Sequence, residues 1–210
     1  MPTLMHDLLD IPDIVPHLLY GTFSLEEPIR GAFTSGTGRD VYRAERTFGA
    51  EPPDVAFSYQ SSELPPWIYV VGATTLFSDS ARETIEGYLS AQDRIAYFER
   101  TIEMADGPIE VANLAYSTEW IDVLSPHSTV APHGVAMWWA LELSKLRHRA
   151  FFIVPEARVH PVMRGDLLLA LHELGWPGYA YELRVMDGKH MVSYEEWAEH
   201  PEWTGYEPTV

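Results

Sequence analysis

The chain of 210 residues contains no cysteine, which removes disulfides, thiol nucleophiles and thiolate metal sites from consideration together. It is also poor in positive charge: 14 lysines and arginines stand against 31 acids, a formal net charge of −17. Binding to nucleic acid or to an anionic membrane depends on cationic side chains displacing counterions, so neither partner is expected. No run approaches the ~20 uninterrupted apolar residues that a membrane-spanning helix requires. The opening residues, MPTLMHDLLDIPDIVPH, have neither a basic leader nor an apolar signal core, which predicts a cytoplasmic protein. A GxSxG elbow and an HExxH pair are missing too. Gly31 to Gly38 (GAFTSGTG) is glycine-rich like a phosphate cradle, but it lacks the P-loop lysine and a clear strand and helix around it, so it reads as a turn.

In their place stands a hydrophobic fraction of 46%, enough for one sizeable core. The acid is unevenly placed. Residues 51 to 135 carry 13 acids against 3 bases, residues 136 to 186 carry 5 against 6, and residues 187 to 210 carry 6 against 1. Such an excess attracts a basic partner and speeds the encounter. For any single carboxylate the plainer reading is a solvated face that maintains solubility.

Prolines at 2, 12, 16 and 28 break up the first thirty residues. Glu51 to Asp54 (EPPD) and Glu63 to Pro66 (ELPP) read as extended connectors, and Trp67 to Val71 as an apolar strand. From Phe77 to Gly107 a longer plan begins. Ser78 caps a helix, Asp79 suits its positive end, and Ala81, Ile85, Tyr88 and Leu89 share one stripe. A strand then runs from Ile95 to Met104 into the turn Ala105-Asp106-Gly107. Glu110 to Ala115 and Glu119 to Leu124 read as further strands, Val135 to Leu146 as a segment of helical character, and Phe151 to Val154 as a buried strand.

The plan then returns: Asp166 opens a helix through Leu174, Gly175 closes it, and Tyr179 to Met186 form a strand ending at Asp187-Gly188. Arg82 and Arg164, like Tyr97 and Tyr179, are 82 residues apart. Two units are too few for a solenoid. The expected architecture is a single α+β domain over residues 1–210, built of two helix-then-strand units around a mixed or antiparallel sheet. Residues 1–52 form an irregular N-terminal segment, 53–188 the two units, and 189–210 an acidic aromatic tail.

Nine histidines invite a metal or general-base reading. The loop Pro126 to Gly134 places His127 and His133 six apart with Asp122 upstream, which would suit a small metal- or ligand-dependent enzyme. That spacing is not the three or four residues of a helical ligand pair, and solvated loop histidines are the better reading, so no metal or cofactor is assigned. His148, in the run Lys145 to Arg149, reads as solvated at the basic end of a helix. The tail Val192 to Tyr206 interleaves Tyr194, Trp197, Trp203 and Tyr206 with Glu195, Glu196, Glu199 and Glu202. Aromatics anchor interfaces and carboxylates pair with cations. Tyr194, Glu195, Glu196, Trp197, Glu199, Glu202 and Trp203, with Glu119 and Asp122, are the candidate partner-binding residues. The competing reading is that the tryptophans pin the C-terminal segment to the domain.

Several stretches carry a common pattern: Pro53-Asp54-Val55, an apolar strand, Leu76-Phe77-Ser78 opening a helix, and a strand ending in Asp106-Gly107. Asn113-Leu114, Ile121 to Leu124, Phe151 to Val154 and Gly178-Tyr179 continue it. Together these resemble a family of bacterial immunity proteins found beside polymorphic toxins, of the type catalogued as a myxobacterial immunity domain and formerly as a domain of unknown function. The second helix departs from the pattern, with Pro161 to Arg164 (PVMR) in place of a serine opener. The resemblance implies a non-enzymatic inhibitor that binds one cognate toxin domain and occludes its active site. The expected toxin acts in the cytosol, for example as a nuclease, an ADP-ribosyl transferase, a deaminase or an NAD-consuming enzyme. A nuclease would be basic because its substrate is a polyanion, and an acidic inhibitor would mimic that charge.

Overall fold

A computed structural model of the chain describes residues 8–9, 13–23, 57–59, 67–70, 74–105, 107, 109–117, 121–131, 136–154, 161–175 and 179–206. The expectations for Gly31 to Gly38, both proline-rich connectors, Asp106, Glu119 and His133 lie outside the described residues. In chain order the strands are β1 (Leu8–Leu9), β2 (Leu19–Phe23), β3 (Phe57–Tyr59), β4 (Trp67–Val70), β5 (Thr74–Phe77), β6 (Ile95–Met104), β7 (Ile109–Ser117) and β8 (Thr129–Val130). They continue with β9 (Ala136–Trp138), β10 (Leu141–Glu142), β11 (Phe151–Phe152), β12 (Val162–Arg164), β13 (Tyr179–Glu182), β14 (Val185–Asp187) and β15 (His190–Val192). Among the described residues the α-helices are α1 (Asp79–Tyr88), α2 (Gly165–Glu173) and α3 (Tyr194–Ala198).

Local sequence accounts for the first helix and the hairpin after it. Ser78 Oγ accepts a hydrogen bond from the Ala81 N–H at 3.2 Å, and Ala81 and Ile85 face inward. Along β6 the period is two: Arg100, Ile102 and Met104 are buried while Thr101 and Glu103 are exposed. Gly107 turns the chain with φ +92°, in the left-handed region, and its N–H donates to the Met104 carbonyl at 3.0 Å. β6 and β7 pair antiparallel from Ile95 opposite Ser117 to Glu103 opposite Ile109.

These strands belong to a five-stranded sheet, β3-β6-β7-β5-β4, and a second five-stranded sheet has the order β1-β13-β2-β12-β11. In the first, β5 and β6 run antiparallel to the central β7. In the second, β12 and β13 run antiparallel to the central β2. α1 joins β5 to β6 and α2 joins β12 to β13, so each helix connects the two strands that flank a central one. The helices pack against each other. One core, including Leu18, Tyr20, Phe77, Ile85, Phe151, Val162 and Leu168, runs through both sheets. The Phe77 and Phe151 rings meet edge to face at 5.8 Å. The result is one mixed α+β domain, mostly strand.

Five expectations change. Each helix belongs to its own five-stranded sheet, whereas one sheet was expected for both. The N-terminal segment, read as irregular, supplies β1 and the central strand β2, because β12 and β13 give β2 partners on both edges. Of Val135 to Leu146, expected to be helical, the described residues 136–146 form β9, β10 and a 3-10 turn at Leu143–Lys145. There the Leu141 N–H donates to the Arg184 carbonyl and the Glu142 N–H to the Val123 carbonyl, and these cross-chain bonds override local propensity. Tyr179 to Met186 breaks at Leu183-Arg184 into β13 and β14, and β14 joins a small sheet, β10-β14-β15. Of Glu119 to Leu124, residues 121–123 are irregular and Leu124 makes an isolated bridge to Leu141.

The second helix shows why it needs no serine opener. Arg164, at its N-cap, makes no capping side-chain bond. Instead the Gly165 N–H donates to the Leu18 carbonyl and the Asp166 N–H to the Pro16 carbonyl, both at 2.8 Å. Asp166 is a first-turn acid, its Oδ1 accepting from the Leu167 N–H at 2.9 Å and pairing with Arg164 at 2.7 Å. The chain before β2 thus satisfies the orphan donors that a side chain satisfies in α1. One buried carboxylate ties the halves together. Asp93, fully buried, accepts from the Ser90 N–H at 2.6 Å, the Ala150 N–H at 3.0 Å and the Phe151 N–H at 3.3 Å, linking the α1–β6 connection to β11.

Candidate partner-binding site

The β14–β15 hairpin turns at Gly188, with φ +59°, and delivers the chain to α3. Ser193 Oγ accepts from the Glu196 N–H at 3.1 Å and opens that short helix. The tail is fastened at several points. Trp197 is 3% exposed and packs in the core, so it offers a partner no surface. The Tyr194 hydroxyl lies 3.2 Å from the Tyr20 hydroxyl and donates to the Asp13 carbonyl at 3.3 Å. Burial first, then the Tyr194 bond, pushes the Tyr20 phenol well above its ordinary pKa. The Thr204 hydroxyl donates to the His17 carbonyl at 2.7 Å, and the His148 N–H donates to the Thr204 carbonyl at 2.8 Å. His148 itself sits in a turn with φ +62°, not at an α-helix end. For Trp197 and Tyr194, therefore, the pinning role is the observed one.

The carboxylates lie outside that anchor. Glu195, Glu199 and Glu202 are exposed, and half-buried Glu196 pairs with His190 at 2.9 Å. His200 pairs with Glu202 at 2.8 Å while its ring stacks on the half-buried Trp203 indole, 4.2 Å between centroids and 13° between planes. The His190 hydrogen bond holds the Glu196 carboxyl below its ordinary range; for Glu202 its own backbone N–H does most, followed by His200. A depressed carboxyl stabilises the fold above its unfolded pKa and loses that effect as pH falls through the folded value. A carboxyl-resolved NMR titration should accordingly show the Glu196 midpoint moving up in His190→Ala, and an unmoved midpoint would remove the pairing.

Glu202 and Trp203 also border an open depression of about 430 Å³, completed by Leu143, Ser144, Arg147 and Asp187. Sequence reasoning named the first two and missed the other four. These come from the 3-10 turn, the residues after it and the end of β14, and nothing in their local sequence marks them. The other candidate residues lie elsewhere. Exposed Asp122 pairs with Lys145 at 2.9 Å, and Lys145 also donates to the Leu124 carbonyl at 3.1 Å. His127 is exposed in its loop. Among the described residues no three His, Asp or Glu side chains are grouped so as to hold a metal ion. No helix among them is long and apolar enough to cross a membrane. Compared with known proteins, the chain matches no family model and no curated sequence.

Proposed function

We propose that this protein is an immunity protein, binding and neutralising a cognate, cytosol-acting bacterial toxin domain by occluding its active site. The observation that carries the reading is the C-terminal surface: Glu195, Glu199 and Glu202 stand exposed on a segment whose other side is fixed by Trp197, Tyr194 and Thr204. A pre-fixed acidic face loses little conformational entropy on binding. Within a chain of net charge −17, it steers a basic partner and suppresses acidic ones. The two helix-then-strand units are read as one paired plan, with this acidic face beside them. The cytoplasmic site of action and the basic character of the toxin belong to the same proposal.

The test is a titration of the purified protein with the toxin domain encoded beside its gene. Glu195→Lys combined with Glu199→Lys should weaken binding by about 10- to 100-fold at low salt, mainly through a slower association rate, with a smaller loss at high salt. Unchanged affinity in the double variant, or a cognate toxin of acidic character, would remove the electrostatic part of the proposal.

A further inference from the structure

The depression beside the last 3-10 turn combines groups that the core does not demand. Arg147, Asp187 and Glu202 are exposed, so burial does not hold them there. The Trp203 indole, by contrast, is held in one orientation by the stacked His200 ring. An indole is the best aromatic platform for a cation. Two carboxylates border the same open depression, Asp187 and Glu202, the latter also paired with His200, and an ionised acceptor strengthens its hydrogen bonds to a cation. Arg147 in the same wall offsets one of the two carboxylates, so the lining keeps a net charge of about −1, which attracts one cation and would repel a second. The composition thus suits one cation with neutral or acidic neighbours and disfavours a run of lysines and arginines. Between the two cationic side chains, arginine fits better, because a guanidinium plane stacks on an indole and presents a fork of donors to two acceptors, whereas an ammonium is a compact and strongly hydrated point charge.

Resting on the inhibitor reading above, we propose that this depression seats a single arginine side chain from a loop of the toxin, its guanidinium over Trp203 between Asp187 and Glu202. The overall negative field then brings the partner in, and the seat fixes its register.

The experiment uses the full chain, isotope-labelled, and three small probes: Nα-acetyl-arginine amide, its lysine counterpart, and the neutral isostere Nα-acetyl-citrulline amide. The readout is the Trp203 indole N–H resonance, assigned with Trp203→Phe. The arginine probe should move it saturably, the lysine probe several-fold more weakly, and citrulline not at all. Asp187→Asn, at an exposed position and leaving the His200–Glu202 pair intact, should raise the apparent Kd for the arginine probe about 5-fold while the rest of the spectrum stays in place. An unmoved resonance, an equal response to citrulline, or unchanged binding in Asp187→Asn would overturn the seat. The probe is not a toxin, so the seat can fail while the protein still protects cells, and protection can fail while arginine still binds.

Discussion

Asp93→Ala should lower the unfolding midpoint by about 10 °C, the largest loss expected from any exchange of one side chain in the loop after α1. The carboxylate is fully buried and accepts from three backbone N–H groups, those of Ser90, Ala150 and Phe151. Its removal strands all three. Each buried donor left without an acceptor costs about 1–3 kcal/mol, and since the site can relax, roughly 3–4 kcal/mol is the expected total. For a chain of this length each kcal/mol is worth about 2–4 °C. Asp93→Asn keeps one oxygen for Ala150 and Phe151 but sets an amide against the Ser90 N–H, so about half that loss should follow. The pH dependence has a defined sign. Burial raises the Asp93 carboxyl above its ordinary 3.8, against the lowering effect of its backbone donors. A raised carboxyl contributes most below the unfolded pKa, and that contribution is lost as pH rises through the folded value. The stability gap between wild type and Asp93→Asn should therefore narrow as pH increases from below 3.8. A gap that widens over that range, in thermal melts of the two proteins, would contradict the burial argument.

Gly165→Ala should destabilise by about 3 kcal/mol, against the rule that alanine favours a helix over glycine by about 1 kcal/mol. An added Cβ would lie 2.2 Å from the Val15 carbonyl oxygen and 2.9 Å from its carbon. A backbone carbonyl cannot swing aside as a flexible side chain can. Relief would come from moving residues 14–18 away from the start of α2, which would break the bonds from Gly165 to Leu18 and from Asp166 to Pro16. Gly175 is the control. Its φ is +87°, but among the described residues no atom beyond its chain neighbours lies within 4 Å of a Cβ placed there, so Gly175→Ala should cost only the conformational term of about 1 kcal/mol. Chemical denaturation of both variants decides the matter. Equal losses, or a stabilised Gly165→Ala, would mean that the N-terminal chain does not cap α2 in the way described.

These two sites also show what could be read from the sequence and what could not. Ser78, the Ala81–Ile85 stripe and the alternation along β6 are local signals, and the helix and strand they announce are present because their hydrogen bonds close within a few residues or across a tight hairpin. β2 has no such signal. Its partners, β12 and β13, lie about 140 residues or more further along the chain, and Gly21 in its centre is required by Tyr181, whose ring would be 2.1 Å from an added Cβ. The same burial pushes the Tyr181 hydroxyl pKa up to about 12. Val135 to Leu146 misleads for a related reason: apolar content alone does not distinguish a helix from strands that bond to Val123 and Arg184.

In the tail the alternation of aromatics and acids was legible, but the role of each residue was not. Trp197 turns inward while Glu195 and Glu199 stay exposed, and only the packing of α3 against the core decides which is which. The depression could not be anticipated at all, since Arg147 and Asp187 reach it from separate segments.

The central proposal is that this chain protects a cell by binding a toxin, and the most direct measurement is survival. Cells expressing the toxin domain encoded beside this gene should die alone and survive when the full chain is co-expressed, and a one-to-one complex should be recoverable from the survivors. Equal killing with and without the protein, or a neighbouring domain that harms no cell, would contradict the account.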